Sequence, residues 1–66
     1  MTIGEKLKKL RGSKTMTEMA RDIGITTTSL WNYENNYRVP KDEVKKKIAI
    51  YFKKTVDEIF FNSLLH

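Results

Sequence analysis

Residues 15–36 (TMTEMARDIGITTTSLWNYENN) constrain the fold more than any other stretch, because they contain two helix starts separated by a tight glycine turn. Glu18 follows Thr15 by three residues, which is the pattern of a capping box at a helix N-terminus. Gly24 predicts the end of that helix, since glycine adopts the left-handed conformation at little cost. Thr26 is a suitable N-cap for the next helix. We therefore expect two short helices, over residues 16–23 and 27–34, joined as a helix-turn-helix.

Helical spacing of apolar residues predicts three further helices around this pair. An N-terminal helix over residues 2–11 has one apolar and one lysine-rich face. A fourth helix starts near residue 41, after Pro40, and a capping box at residues 55–58 opens a short fifth helix. No stretch alternates with a period of two residues. The sequence thus predicts an all-α, compact five-helix domain.

The length and composition exclude several classes of protein. The 66 residues form one domain at most, with a core over residues 3–61 and a tail over residues 62–66. The chain has no cysteine, and His66 alone cannot build a zinc site, so we expect no metal, no cofactor and no disulfide. It has no apolar run long enough to cross a membrane. We expect a soluble, cytoplasmic protein without a membrane partner.

The net charge of +5 suggests a polyanion as the partner. Lysines cluster in the first helix, at residues 45–47 and at residues 53–54. The alternative is that each cluster is an ordinary solvated helix face. Charge alone does not decide between the two interpretations.

The outer face of the third helix contains no charged residue. It lies opposite the core-facing Leu30 and Tyr33 and carries Thr27, Thr28, Trp31, Asn32 and Asn35. Asparagine can bond adenine in a bidentate manner, threonine can donate, accept or contact a thymine methyl group, and tryptophan offers an apolar plane. The first four of these residues are therefore predicted to contact DNA bases. The alternatives are a Trp31 packed in the core and threonines that are ordinary first-turn residues.

Residues on both sides of this face are predicted to contact DNA phosphates. Helix N-termini attract phosphate, and Arg, Lys, Asn and Tyr side chains bond it. The predicted phosphate contacts are Lys14, Met16, Thr17, Asn35, Tyr37, Arg38 and Lys41. Glu34 would repel phosphate, so we expect it to pair with Arg11; the alternative is a solvated glutamate.

The chain resembles the Cro/C1-type helix-turn-helix regulators, also called xenobiotic-response-element-like regulators. The resemblance covers residues 3–61 and rests on the A-x-x-I-G-I-T turn at residues 20–26, the Y-E-N at residues 33–35 and the later Arg38-Val39-Pro40. It implies a lambda-repressor-like domain that binds operator DNA, usually as a homodimer, in phages, mobile elements and bacterial chromosomes. It also implies base contacts by Thr27, Thr28 and Asn32. Met16 replaces the family's usual glutamine, Asn36 replaces its commoner glycine, and the connector after the first helix is shorter.

An apolar patch predicts how such a dimer would form. Exposed apolar patches on small proteins usually mark interfaces, and the candidates here are Ile50, Phe61, Leu64 and Leu65. The alternative is that these residues complete a thin core. The predicted function is a repressor that occupies a palindromic double-stranded DNA operator. A protein-binding antitoxin or adaptor is the alternative, whereas an enzyme or a small-molecule site has no support in the sequence.

Overall fold

The computed structural model describes residues 1–61 and confirms the all-α fold. Leu64 and Leu65 of the predicted apolar patch, His66 and the predicted tail lie outside the described residues. The elements in chain order are α1 (Ile3–Arg11), α2 (Met16–Ile23), α3 (Thr27–Glu34), α4 (Asp42–Phe52) and a fifth, π-helical segment (Asp57–Phe61). These bounds agree with the sequence prediction to within a residue or two.

Threonine side chains define where four of these helices begin. Thr2, Thr15 and Thr55 each accept a hydrogen bond from the backbone N–H of a glutamate three residues later. That glutamate accepts the threonine's own backbone N–H in return. Each capping box satisfies two backbone donors that have no partner inside the helix. Thr26 caps α3 differently, by accepting a hydrogen bond from the N–H of Ser29 at 3.0 Å.

The core is a single apolar cluster to which every helix contributes. Its buried members are Leu7, Met19, Ala20, Ile23, Leu30, Ile48, Ala49, Ile59 and Phe60. α1 packs on α3 and on the fifth helix, while α2 packs on α3 and α4. α3 is therefore held from behind by two helices, and its other face is left to the solvent.

The backbones of α1 and α3 lie very close together at Gly4. A Cβ atom at this position would lie 2.2 Å from the carbonyl oxygen of Glu34, far inside van der Waals contact. The Gly4 N–H donates to Oδ1 of Asn36 at 3.0 Å. Only a residue without a side chain lets the two backbones approach this closely.

The fifth helix differs from the ordinary α-helix that the capping box and apolar spacing predict. Its hydrogen bonds span five residues rather than four over Asp57–Phe61. The wider turn accompanies the burial of two successive side chains, Ile59 and Phe60.

Candidate nucleic-acid interface

The turn between α2 and α3 is closed by hydrogen bonds to one carbonyl. Gly24 has φ 88°, in the left-handed region. The N–H groups of Gly24 and Ile25 both donate to the carbonyl oxygen of Ala20 at 2.9 Å, which is how a helix ends at a left-handed glycine. Ile25 is half-buried against the core, and Thr26 then starts α3. The turn therefore fixes the angle at which α3 leaves α2.

The outer face of α3 is exposed along its length. Thr27 and Thr28 are exposed, Asn32 is half-buried, and Trp31 has 46% of its surface accessible. Leu30 lies fully in the core on the opposite side. The structure thus brings the predicted base-contacting residues together on one uncharged surface.

Trp31 lies against Tyr37 rather than in the core. The two rings are stacked, with centroids 5.4 Å apart and planes inclined by 14°. The side-chain amide of Asn35 donates to the Trp31 carbonyl at 2.9 Å, one helical turn back. Two of the predicted phosphate contacts therefore touch Trp31: Tyr37 at its ring and Asn35 at its backbone carbonyl.

The other predicted phosphate contacts flank this surface at both ends. Met16 and Thr17 form the first turn of α2, whose outermost N–H groups have no acceptor within the helix. Arg38 and Lys41 are exposed after α3.

Lys14 is engaged within the protein. Its ammonium group donates to the hydroxyl of Tyr51 in α4 at 2.6 Å, and this hydrogen bond raises the pKa of Lys14. The same hydroxyl lies 3.4 Å from Oδ2 of Asp22 in α2.

Glu34 is a buried carboxylate at the C-terminal end of α3. Nε of Arg11 donates to Oε2 of Glu34 at 2.8 Å, and Nη2 donates to Oε1 at 3.0 Å. The Glu34 side chain has no accessible surface, whereas 21% of the Arg11 side chain is accessible. The bidentate bond raises the pKa of Arg11. The pair neutralises Glu34 and ties α1 to α3.

Asn36 joins the end of α3 to the start of α1, a role that its sequence position does not indicate. It has φ 61°, so it reverses the chain after α3 as the family's commoner glycine would. Its side chain also accepts the Gly4 N–H and donates to Oγ1 of Thr2 at 3.0 Å. The start of α1 is thereby anchored to the end of α3. The sequence marks Asn36 as a helix terminator, but its bridge to α1 spans more than 30 positions and leaves no local signal.

Ile50 and Phe61 are accessible on α4 and the fifth helix. Ile50 is 76% exposed and Phe61 is 41% exposed. Asp42, Lys46 and Ile50 are spaced four residues apart on α4, so they share a face. Asp42, Lys46 and Phe61 line one shallow groove. The two apolar side chains therefore lie along adjoining surfaces.

The described residues contain neither a candidate metal centre nor a candidate membrane-spanning helix. Within residues 1–61 no cluster of histidine, aspartate and glutamate is arranged to hold a metal ion. No helix of the same part of the chain is long and apolar enough to cross a membrane.

The five helices, the glycine turn and the uncharged outer face of α3 define a helix-turn-helix DNA-binding domain. The model of the helix-turn-helix family matches residues 7–59, most of the chain. The chain belongs to this family, of the Cro/C1 type, and is a DNA-binding transcription regulator. No curated protein matches the chain significantly, and neither does any solved structure.

Proposed function

We propose that the protein is a repressor that binds a palindromic operator as a homodimer, with α3 in the major groove. The observation that carries this proposal is the exposed, uncharged face of α3, held rigidly by α1 and α2. A face that meets only solvent ordinarily carries charged residues. Occupation of a promoter is an action on transcription that needs no more than a DNA-binding surface. We place this activity in the cytoplasm of a bacterial cell.

The proposed base contacts are Thr27, Thr28, Trp31 and Asn32. Asn32 is the residue suited to bidentate recognition of adenine, and such a contact discriminates between bases by about 1–3 kcal/mol. The two threonines begin the helix, the end that commonly reaches the base edges in this motif.

The proposed phosphate contacts are the first-turn amides of Met16 and Thr17 together with the side chains of Arg38 and Lys41. Contacts of this kind set the register of the protein on the duplex and supply affinity without sequence preference. To contact a phosphate as well, the Lys14 ammonium group would have to give up its hydrogen bond to the Tyr51 hydroxyl and donate to a phosphate oxygen instead.

The experiment that tests the proposal is selection of bound duplexes from a randomised pool near 0.15 M salt. The winning duplex is then titrated against its scrambled sequence. We expect an inverted repeat with half-site centres about 34 Å apart, one turn of DNA. Absence of any enriched sequence would contradict the proposal and direct attention to a protein partner.

Two variants separate base contacts from phosphate contacts in this assay. Asn32→Ala should lower the preference for operator over scrambled DNA by about 1–3 kcal/mol. Arg38→Ala should weaken both complexes similarly and reduce the slope of log K against log salt by about 0.9, the value for one phosphate. If Asn32→Ala weakened the operator complex and the scrambled complex equally, Asn32 would not be a base contact.

A further inference from the structure

Trp31 and Tyr37 form an exposed aromatic pair that the helix-turn-helix fold does not require. Trp31 is 46% exposed and Tyr37 is 73% exposed, although both are large rings. They stack nearly parallel, with 5.4 Å between centroids. Such offset stacking is an attractive arrangement of two rings, yet here most of the pair remains in water.

Both rings are attached to backbone that is held firmly. The N–H groups of Tyr37 and Arg38 donate to the carbonyl oxygen of Asn32 at 2.9 and 3.3 Å, which folds this segment back onto α3. The Trp31 carbonyl accepts hydrogen bonds from the backbone N–H and the side-chain amide of Asn35. Tyr37 therefore stands beside the indole and limits its rotation toward the C-terminal end of α3.

The indole lies on the same surface as Thr27, one helical turn away. Here the surface presents an aromatic plane and threonine methyl groups, and α3 carries no Lys, Arg or Asp. In the major groove, the apolar group that a base pair can present is the C5-methyl of thymine, or of 5-methylcytosine. An apolar surface gains free energy by covering a methyl group and gains little from the polar base edges.

We propose that Trp31 reads a pyrimidine C5-methyl group in each half-site, and that Tyr37 is the positioning residue that fixes the indole for this contact. The inference rests on the proposed function and names the chemical group that α3 recognises. It assigns Tyr37 to the orientation of Trp31 instead of to a phosphate.

The test replaces each thymine of the selected operator by uracil, one at a time. Uracil keeps the base pair and removes only the methyl group. We expect about a fourfold loss of affinity at one or two thymines of each half-site, the factor given by ~0.8 kcal/mol for one buried methyl group. Trp31→Ala should bind the thymine and uracil operators equally. Tyr37→Ala should reduce the uracil penalty, whereas Tyr37→Phe should keep it, because phenylalanine retains the stacking ring.

A second arm separates the methyl group from the rest of the thymine ring. A C·G pair at the sensitive position should weaken binding, and methylation of that cytosine at C5 should recover about fourfold. Because Trp31 is the only tryptophan, its fluorescence reports directly whether the indole is covered in each complex.

Three results would overturn the inference. An operator without a uracil-sensitive position, or a penalty that persists in Trp31→Ala, would remove Trp31 as the reader of the methyl group. If Tyr37→Phe bound the operator as weakly as Tyr37→Ala, the tyrosine hydroxyl would act on the DNA directly. Failure of the proposed function is distinct, because then no operator is enriched in the first place.

Discussion

Gly4 is the residue at which the packing of α1 on α3 leaves no room for a side chain. Gly4→Ala would push a methyl group into the backbone of Glu34. Since backbone cannot give way as a flexible side chain can, we expect a loss of at least about 1–3 kcal/mol in the free energy of unfolding. Urea denaturation measures this loss. Lys8→Ala is the matched control, because Lys8 is exposed on the same helix and should change the free energy by less than about 0.5 kcal/mol.

Arg11 neutralises the only buried charged side chain among the described residues. Arg11→Met would leave the Glu34 carboxylate buried without its partner, at a cost of about 3–5 kcal/mol. The double variant Arg11→Met/Glu34→Leu should recover much of that loss, because an apolar pair needs no compensation. Thermal denaturation of the single and double variants measures the recovery.

Arg21→Met is the control for this pair. Arg21 lies 3.6 Å from Asp22, but its side chain is 71% exposed, so its removal should cost less than about 1 kcal/mol. A double variant no more stable than Arg11→Met would contradict the interpretation that the unpaired carboxylate is the source of the instability.

At the scale of the helices, the three capping boxes make stability depend on pH. The backbone N–H and then the hydroxyl of each threonine lower the pKa of Glu5, Glu18 and Glu58 below the ordinary value of 4.5. A carboxyl group whose pKa is lowered by folding stabilises the protein above its unfolded pKa. That contribution is lost as the pH falls through the lower folded pKa.

We therefore expect the unfolding temperature to decrease as the pH falls below about 4.5. The triple variant with glutamine at these positions keeps capping-box hydrogen bonds but has no charge to titrate. Its stability should vary less with pH than that of the parent chain. The three single variants are the controls, because each should remove only its own share. If the triple variant kept the full pH dependence of the parent chain, groups other than these three glutamates would be responsible for it.

The helix boundaries could be predicted from the sequence because the interactions that set them are local. Thr15 and Glu18 are three residues apart, and Gly24 closes its turn on Ala20. Contacts between elements could not be predicted in this way. The bonds from Asn36 to Gly4 and from Lys14 to Tyr51 join residues that meet only after the helices have packed.

Part of the candidate site could likewise be predicted from the sequence, and part could not. The outer face of α3 follows from helical periodicity, so its members could be named from the sequence. The Trp31–Tyr37 stack depends on the left-handed turn at Asn36 and on the folding back of Tyr37, which periodicity does not describe.

At the scale of the whole molecule, residues 1–61 of one chain contain a single helix proposed for DNA recognition, α3. The chain's longest dimension is 32 Å, so a single copy does not place helices in two half-sites about 34 Å apart. A two-fold dimer would meet this requirement. The surface that we propose for it carries Ile50 and Phe61.

Ile50→Lys should convert the proposed dimer to a monomer, because it places a charge within the proposed interface. Sedimentation equilibrium measures the mass. Val39→Lys is the matched control, since Val39 is an apolar residue that is 64% exposed and lies outside the proposed interface, in the segment before α4. An unchanged mass for Ile50→Lys would exclude this patch as the interface. The same variant should weaken operator binding far more than half-site binding.

The capping boxes also affect how quickly the protein folds. Helix starts that close over three residues require little loop closure, and small helical domains of this kind fold in microseconds to milliseconds. The Arg11–Glu34 bond joins positions 23 residues apart, so we expect it to form after the helices and its loss mainly to speed unfolding. Newly made chains would then be folded soon after they leave the ribosome, and the supply of folded chains available to form the proposed dimer would follow the rate of synthesis.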